Sequence, residues 1–331
     1  MTAFALQRPT TIAGISPDRA LVTLLALLLA VAAGFRWFGT GRDYIYYVEF
    51  YDRLGLATNI ADERFEVGFT ASAWVFKTIL GLPYAVYASV LVGFALAVKF
   101  ACFYRYCDRP LLACVVYCAS FYPLHEYTQI RIAVGLAFGM LGCLASTRGR
   151  LVEAAVWIGI GALFHTSEAL LALGVGVAVL IRLPWRAGLF WLSAASATVY
   201  LAFPSDPISL VETAIPNTVN YLEGTEAIVP NLFGSGNVVT VLSIILCLPI
   251  AFTSRDRVTE LTFIMCMLAT VSFVLLIDIP AFAFRFREAF AVFGLILVYR
   301  RSETLLVQLA GFVVALVSIY QLSAAIQDGI I

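Results

Sequence analysis

Side chains able to do chemistry gather at four places in this chain. Arg36, Arg42, Asp43, Tyr44, Tyr46, Tyr47, Glu49, Asp52, Arg53 and Glu66 follow the first apolar run. His125, Glu126, Gln129 and Arg131 sit at a turn between two others. His165, Thr166, Ser167 and Glu168 interrupt a long apolar stretch, and Asp278, Arg285, Arg287 and Glu288 border a late one. Arg131, Arg285 and Arg287 could clamp a phosphate or diphosphate, because a planar guanidinium matches phosphate oxygens bidentately. A carboxylate, Asp43 or Glu66, could take a proton from a hydroxyl nucleophile, and His165 could do the same or hydrogen-bond a leaving diphosphate. No His, Asp or Glu cluster has metal-ligand spacing, so no metal and no cofactor is expected.

Each of these residues also has a plainer role available. Asp43 could form a surface ion pair with Arg42, and Glu66 could be the first-turn acid of a helix over 67–82. His165 could close a helix turn whose free backbone groups Thr166 and Ser167 satisfy, yet Ser or Asn would serve there equally well. Arg131 opens a helix, where a cation opposes the dipole and gains nothing structurally. Arg285 and Arg287 diverge on a helix and share a face only in an extended turn. The run Tyr44, Tyr46, Tyr47, Phe50, Tyr51 reads as an aromatic belt at a membrane surface, with stacking on sugar rings as the second reading. Lys99 reads as snorkelling to the membrane edge, and His125 with Glu126 as a helix-end pair.

The elements that must position these groups are membrane helices. Of 331 residues, 62% are apolar and 13% charged, and mean hydropathy is +0.93. Soluble domains carry roughly a quarter charged residues, so a soluble enzyme, a disordered chain and a coiled coil are excluded. Long continuous apolar runs exclude a β-barrel. Zero net charge removes any basic face for nucleic acid. The seven cysteines lie in apolar spans or beside cytoplasmic loops, which predicts neither disulfides nor a zinc site.

Apolar runs occur at about 20–38, 84–104, 110–126, 129–147, 187–204, 237–254, 258–277, 286–299 and 303–325. Basic pairs punctuate them: Arg105/Arg109, Arg148/Arg150, Arg182/Arg186, Arg255/Arg257 and Arg300/Arg301. The positive-inside rule puts all five in the cytoplasm, which makes 151–181 a hairpin that crosses twice and breaks at His165. The weaker run at 67–82 is then re-entrant or interfacial. The expected fold is all-α: a single integral membrane domain over 1–331, a bundle of about eleven spans plus that extra helix, with the N-terminus inside. Outward loops fall at about 36–66 and 205–236, and the four polar groups above share the outer face. Ionisable groups at membrane depth are costly, so each is a functional candidate.

The same residues carry a family resemblance. Gly41–Arg42–Asp43–Tyr44 with Tyr47 resembles the D-Y…Y element of the EpsG-like branch of Wzy-type polysaccharide polymerases. Glu66–Val67–Gly68–Phe69 is similar to its E-x-G-F element, Arg131–Ile132–Ala133 to its R-x-x-A segment, and Phe164–His165–Thr166–Ser167 to its F-H-x-S element. Arg285–Phe286–Arg287 resembles its late arginine segment, and the elements keep their order across about 41–290. The family segment often reads R-Q, whereas here Gln129 precedes Arg131, so no glutamine role is carried over.

The resemblance implies a GT-C-like glycosyltransferase of the bacterial inner membrane with its site facing the periplasm. It implies undecaprenyl-diphosphate-linked oligosaccharide as both donor and acceptor, inversion at the anomeric carbon and no metal. Asp43, Glu66 and His165 are then catalytic candidates, and Arg131, Arg285, Arg287, Tyr44 and Tyr47 substrate-binding ones. Partners are the lipid-linked substrate and membrane lipid, with a chain-length regulator left open. Two other classes stand beside this reading. One is a ligase or acyltransferase that uses a lipid-linked donor without polymerising. The other is a transporter or flippase, which calls for pseudo-symmetric halves with broken helices.

Overall fold

The computed structural model describes residues 16–37, 43–180, 235–254, 256–277, 279–300 and 305–327. All regular elements in these segments are helical. The expected span at 187–204 and the loop at 205–236, up to its last two residues, lie outside the described residues, as do Arg42, Arg182, Arg186, Arg255, Asp278 and Arg301.

Helix α1 (Pro17–Gly34) begins with Pro at its first turn beside Asp18, a start that suits both the missing N–H and the helix dipole. The short α2 (Tyr44–Arg53) and α3 (Val67–Trp74) follow; α3 continues as a π-helical turn over Val75–Ile79. Next come α4 (Tyr84–Tyr106), α5 (Pro110–Ser120), a π-helical turn Pro123–Thr128 and α6 (Ile130–Ser146). Then α7 (Leu151–Phe164) leads through a 3-10 turn, Thr166–Leu170, into α8 (Leu171–Leu180). The C-terminal part holds α9 (Ser235–Thr253), α10 (Arg257–Leu275), α11 (Pro280–Ala291), α12 (Phe293–Arg300) and α13 (Leu305–Gln327).

Among the described residues four helices are long and apolar enough to cross a membrane: α1, α4, α10 and α13 over Leu305–Ser323. Shorter apolar helices, α5 to α9, accompany them, and the protein is a multi-pass membrane protein. Two expected spans take a different form, and the 67–82 run, expected to be re-entrant or interfacial, is short. The run at 110–126 is a helix that ends at Ser120 and a separate π-helical turn, with Pro123 leading the second piece. The late run at 286–299 is two helices that meet at Val292. The 67–82 run is helical for thirteen residues, about 20 Å at 1.5 Å per residue, short of a ~30 Å core.

In lipid, helices associate through close packing of small residues, because burial of apolar area drives nothing. α1 meets α4 through its buried stripe Ala26, Ala30, Ala33 and Gly34. A Cβ on Gly34 would lie 2.4 Å from the Ala85 carbonyl oxygen. α6 lies along α7 in the same way. Gly142 faces Ala154 and Gly135 faces Gly161, so the two helices run antiparallel. After the break at His165 the chain turns back along α6, for Glu168 lies at Gly135 and Gly139, and Leu171 at Gly139. The break in 151–181 is therefore a reversal. These reversals put the end of α4, the end of α6 and the start of α1 at one end of the bundle. The start of α6 and the end of α7 lie at the other.

The described basic residues of the paired arginines collect at the first end. Asp256 caps α10, accepting from the Thr259 amide (3.2 Å) and hydroxyl (2.7 Å), and is bridged twice by Arg300. Arg300 also donates to the Tyr106 carbonyl at 2.9 Å, tying α12 and α10 to the end of α4.

Candidate functional site

At the opposite end, three motif residues from distant parts of the chain meet. Glu66 precedes the first turn of α3, Arg131 lies in the first turn of α6, and His165 ends α7. Glu66 stands where a helix cap would, but its side chain caps nothing. One carboxylate oxygen instead pairs with Arg131 Nη1. The other lies 3.0 Å from His165 Nδ1 and accepts from the Thr166 amide at 3.4 Å. Arg131 Nε reaches the Tyr47 hydroxyl at 3.4 Å, and its guanidinium stacks over the Phe65 ring with 4.5 Å to the centroid. An arginine that opposes its own helix dipole is thus neutralised by a carboxylate from another element.

Local sequence explains the approach. Gly68, two residues after Glu66, lets the first turn of α3 touch the end of α7: a Cβ there would stand 2.7 Å from the Leu163 carbonyl oxygen. Phe69, 1% exposed, anchors the same turn among Tyr47, Phe50 and Phe65. The E-x-G-F element is therefore a packing device that presents Glu66 to His165.

Electrostatics distinguish Glu66 from His165, two of the three candidate proton acceptors. Burial pushes the Glu66 carboxyl up, but the hydrogen bond from His165 and the charge of Arg131 outweigh it and hold the group at about 2. The carboxylate is ionised, so His165 Nδ1 carries the hydrogen and donates. His165 Nε2 is then the unprotonated nitrogen of a neutral ring; it is buried and has no partner among the described residues.

The other expected residues are placed as follows. Tyr47 is buried beside Arg131, and Asp43 opens α2 one turn before it, with its charge directed at Tyr47. Tyr44 lies under the guanidinium of Arg36 at 4.6 Å and against Tyr84. α11 packs on the 166–170 turn, and the positive charge of Arg285 faces His165. Because 280–291 is helical, Arg287 points elsewhere: it pairs with Glu288 at 3.5 Å, donates to Asn237 at 3.3 Å and stacks on Phe273 and Phe284. The structure brings Glu66, Arg131, His165 and Tyr47 together, sets Arg285 and Asp43 beside them, and separates Arg287.

Three sequence expectations need correction. The aromatic run is no surface belt, for Tyr47, Phe50 and Tyr51 are at most 2% exposed. They form the inner face of α2, and Tyr46 remains on its outer face. Lys99 does not snorkel. It is wholly buried, with Nζ 2.6 Å from Glu126 and 2.7 Å from the Tyr117 hydroxyl, and that hydroxyl donates to Glu126 at 2.7 Å. His125 and Glu126 are accordingly no pair: His125 is buried against Phe121 with both ring nitrogens unpartnered among the described residues.

Two further groups stand in the polar clusters of the sequence but were given no role there. Glu168 is fully buried and both its oxygens lack a partner among the described residues. Arg36 is buried with φ +55°, its guanidinium between the Tyr44 and Tyr127 rings and bonded to the Tyr127 carbonyl. A positive φ in a non-glycine residue is uncommon and is held only by its surroundings. The depth of Arg36 after a membrane helix was the signal available for it. Among the described residues no group of three His, Cys, Asp or Glu side chains gathers in a way that could hold a metal ion.

Comparison with curated proteins and with solved structures gives no match. The model of the EpsG family, a Wzy-like polymerase family, matches residues 19–327, nearly the whole chain. That match covers every motif residue gathered at this end of the bundle, and the chain belongs to the EpsG family.

Proposed function

We propose that this protein polymerises undecaprenyl-diphosphate-linked oligosaccharide at the extracytoplasmic face of the bacterial inner membrane, as an inverting, metal-independent glycosyltransferase of GT-C type. The observation that carries the reading is the Glu66–His165–Arg131 cluster, with one ring nitrogen of His165 left open.

A carboxylate held at about 2 with both oxygens engaged is a poor base at neutral pH. Glu66 therefore orients His165 and fixes its tautomer, and Nε2 accepts the proton of the acceptor hydroxyl, as in nucleophile–base–orienter arrangements generally. The acceptor oxygen then bonds to the anomeric carbon of the donor as the bond from that carbon to the diphosphate oxygen breaks. Undecaprenyl diphosphate leaves with both bonding electrons. Arg285 and Arg131 offset the charge that develops on the leaving diphosphate. Tyr47 holds Arg131, and Asp43 and Tyr44 border the acceptor side at the start of α2. Arg287 supports α11 through Glu288 and Asn237 rather than binding diphosphate. The positive-inside rule places the opposite, arginine-rich end in the cytoplasm, which turns this cluster outward.

The test is reconstitution of the purified protein with a defined undecaprenyl-diphosphate oligosaccharide in the presence of a chelator, with products read by gel and mass spectrometry. A ladder of repeat multiples is expected, lost in His165→Ala and reduced in Arg131→Ala. A single addition product would identify a ligase. Label crossing the bilayer without any product would identify a transporter.

A further inference from the structure

At the end of the bundle opposite the cluster, α1, α4 and α6 leave a groove of about 760 Å³ open to their surroundings. Its mouth carries three cations, Arg19, Arg105 and Arg148, one from each helix or its end. Among the described residues no carboxylate lines it. Aromatic rings hold two of the guanidinium groups: Arg19 lies 5.7 Å over Tyr104 and Arg105 lies 5.8 Å over Tyr106. Arg148 donates to the Tyr106 hydroxyl at 3.1 Å.

The floor below the mouth is apolar, and the small residues Ala26, Gly93 and Ala97 let a chain lie close to the backbone there. Along α4 the groove runs from Arg105 to Gly93, twelve positions and about 18 Å at 1.5 Å per residue. That is close to one leaflet, half of a ~30 Å hydrocarbon core. A polar, tricationic mouth above a leaflet-deep apolar trough is complementary to one molecule in particular: a lipid with a phosphate headgroup and acyl chains.

We infer that this groove binds an anionic diacyl phospholipid of the leaflet at the arginine-rich end, with its phosphate held by Arg19, Arg105 and Arg148. Surplus basic side chains between membrane helices recognise anionic headgroups in this way. The three arginines belong to three elements, so the bound phosphate ties the start of α1 to the ends of α4 and α6. No residue of the Glu66–His165–Arg131 cluster takes part, and the inference stands whether or not the chain polymerises sugars.

The test uses the full-length protein in detergent, stripped of lipid and titrated with phosphatidylglycerol or phosphatidylcholine of identical chains. Occupancy is read by native mass spectrometry. Wild type should retain phosphatidylglycerol preferentially. Each of Arg19→Gln, Arg105→Gln and Arg148→Gln should weaken it about fivefold, the worth of one cation near a membrane surface. Ala97→Phe fills the trough while keeping the charges and should lose both lipids. Thermal unfolding of each variant separates loss of binding from loss of fold, and the single arginine variants keep the test open if Ala97→Phe fails to fold. Equal retention of the two lipids, no retention of either, or unchanged retention in the arginine variants would overturn the inference. Displacement of phosphatidylglycerol by an equimolar polyprenyl phosphate would overturn the diacyl assignment.

Discussion

Exchanging Lys99 and Glu126 for neutral side chains, singly and together, tests how the core supports the site. The two charges lie 2.6 Å apart with no exposure, and the Tyr117 hydroxyl bridges them. Removing one partner of a buried pair strands the other charge away from water and costs about 3–5 kcal/mol. Replacing both removes the desolvation problem together with the attraction. Lys99→Met and Glu126→Gln should therefore each cost about 3–5 kcal/mol, and the double variant well under half of their sum. The two singles should differ. Lys99→Met leaves two buried carboxyl groups, Glu126 and Glu168, without the cation that faces both. Glu126→Gln leaves Lys99 with the Tyr117 hydroxyl and an amide oxygen, so Lys99→Met should be the worse. Glu126 sits in the π-helical turn that delivers Arg131 to the site, so polymerisation should fall with the singles and recover in the double. The assay is reversible unfolding in mixed micelles, alongside product formation. Additive losses, or singles costing under about 1 kcal/mol, would refute the reasoning.

Three further outcomes are expected. The Glu66 carboxyl is held at about 2, below its ordinary value of 4.5, so its contribution to stability is complete above pH 4.5 and drains away as pH falls toward 2; a melting-temperature series against pH should show that slope in wild type and lose it in Glu66→Gln. Gly68→Ala drives a methyl into the Leu163 carbonyl and should cost about 1–3 kcal/mol with a larger fall in activity, whereas Gly176→Ala, which meets nothing, should be neutral or stabilising by thermal unfolding. Asp256→Asn loses charge from both the α10 cap and the Arg300 bridge at the arginine-rich end and should cost about 1–2 kcal/mol in unfolding experiments while leaving the pH dependence of polymerisation unchanged.

Much of the architecture follows from one-dimensional pattern. Apolar run length marks α1, α4, α10 and α13, and the His165 break marks the reversal between α7 and α8, because a helix in lipid must satisfy its backbone internally over a fixed thickness. Places where the chain departs from straight helix were not legible: the π-helical turns at 75–79 and 123–128 and the junction at Val292 depend on what neighbouring helices permit. Lys99 shows the limit most clearly. Its position near a span end fits an edge lysine, and only a partner twenty-seven residues away, on another element, makes burial affordable.

The sequence by itself determined that the chain is a helical membrane protein, which residue types could handle a lipid diphosphate, and which ordered motifs they stand in. Those properties depend on composition, hydropathy and local spacing. The tertiary structure alone decided their roles. It turned Glu66 from a helix cap into the partner of His165 and Arg131, and it left one imidazole nitrogen open. It also set Arg285 toward the cluster and Arg287 away from it. The physical reason is that the strength of a base and the availability of a cation depend on which groups stand within a few ångströms. Glu66, Arg131 and His165 are neighbours only because Gly68, Gly135 and Gly161 let α3, α6 and α7 approach closely.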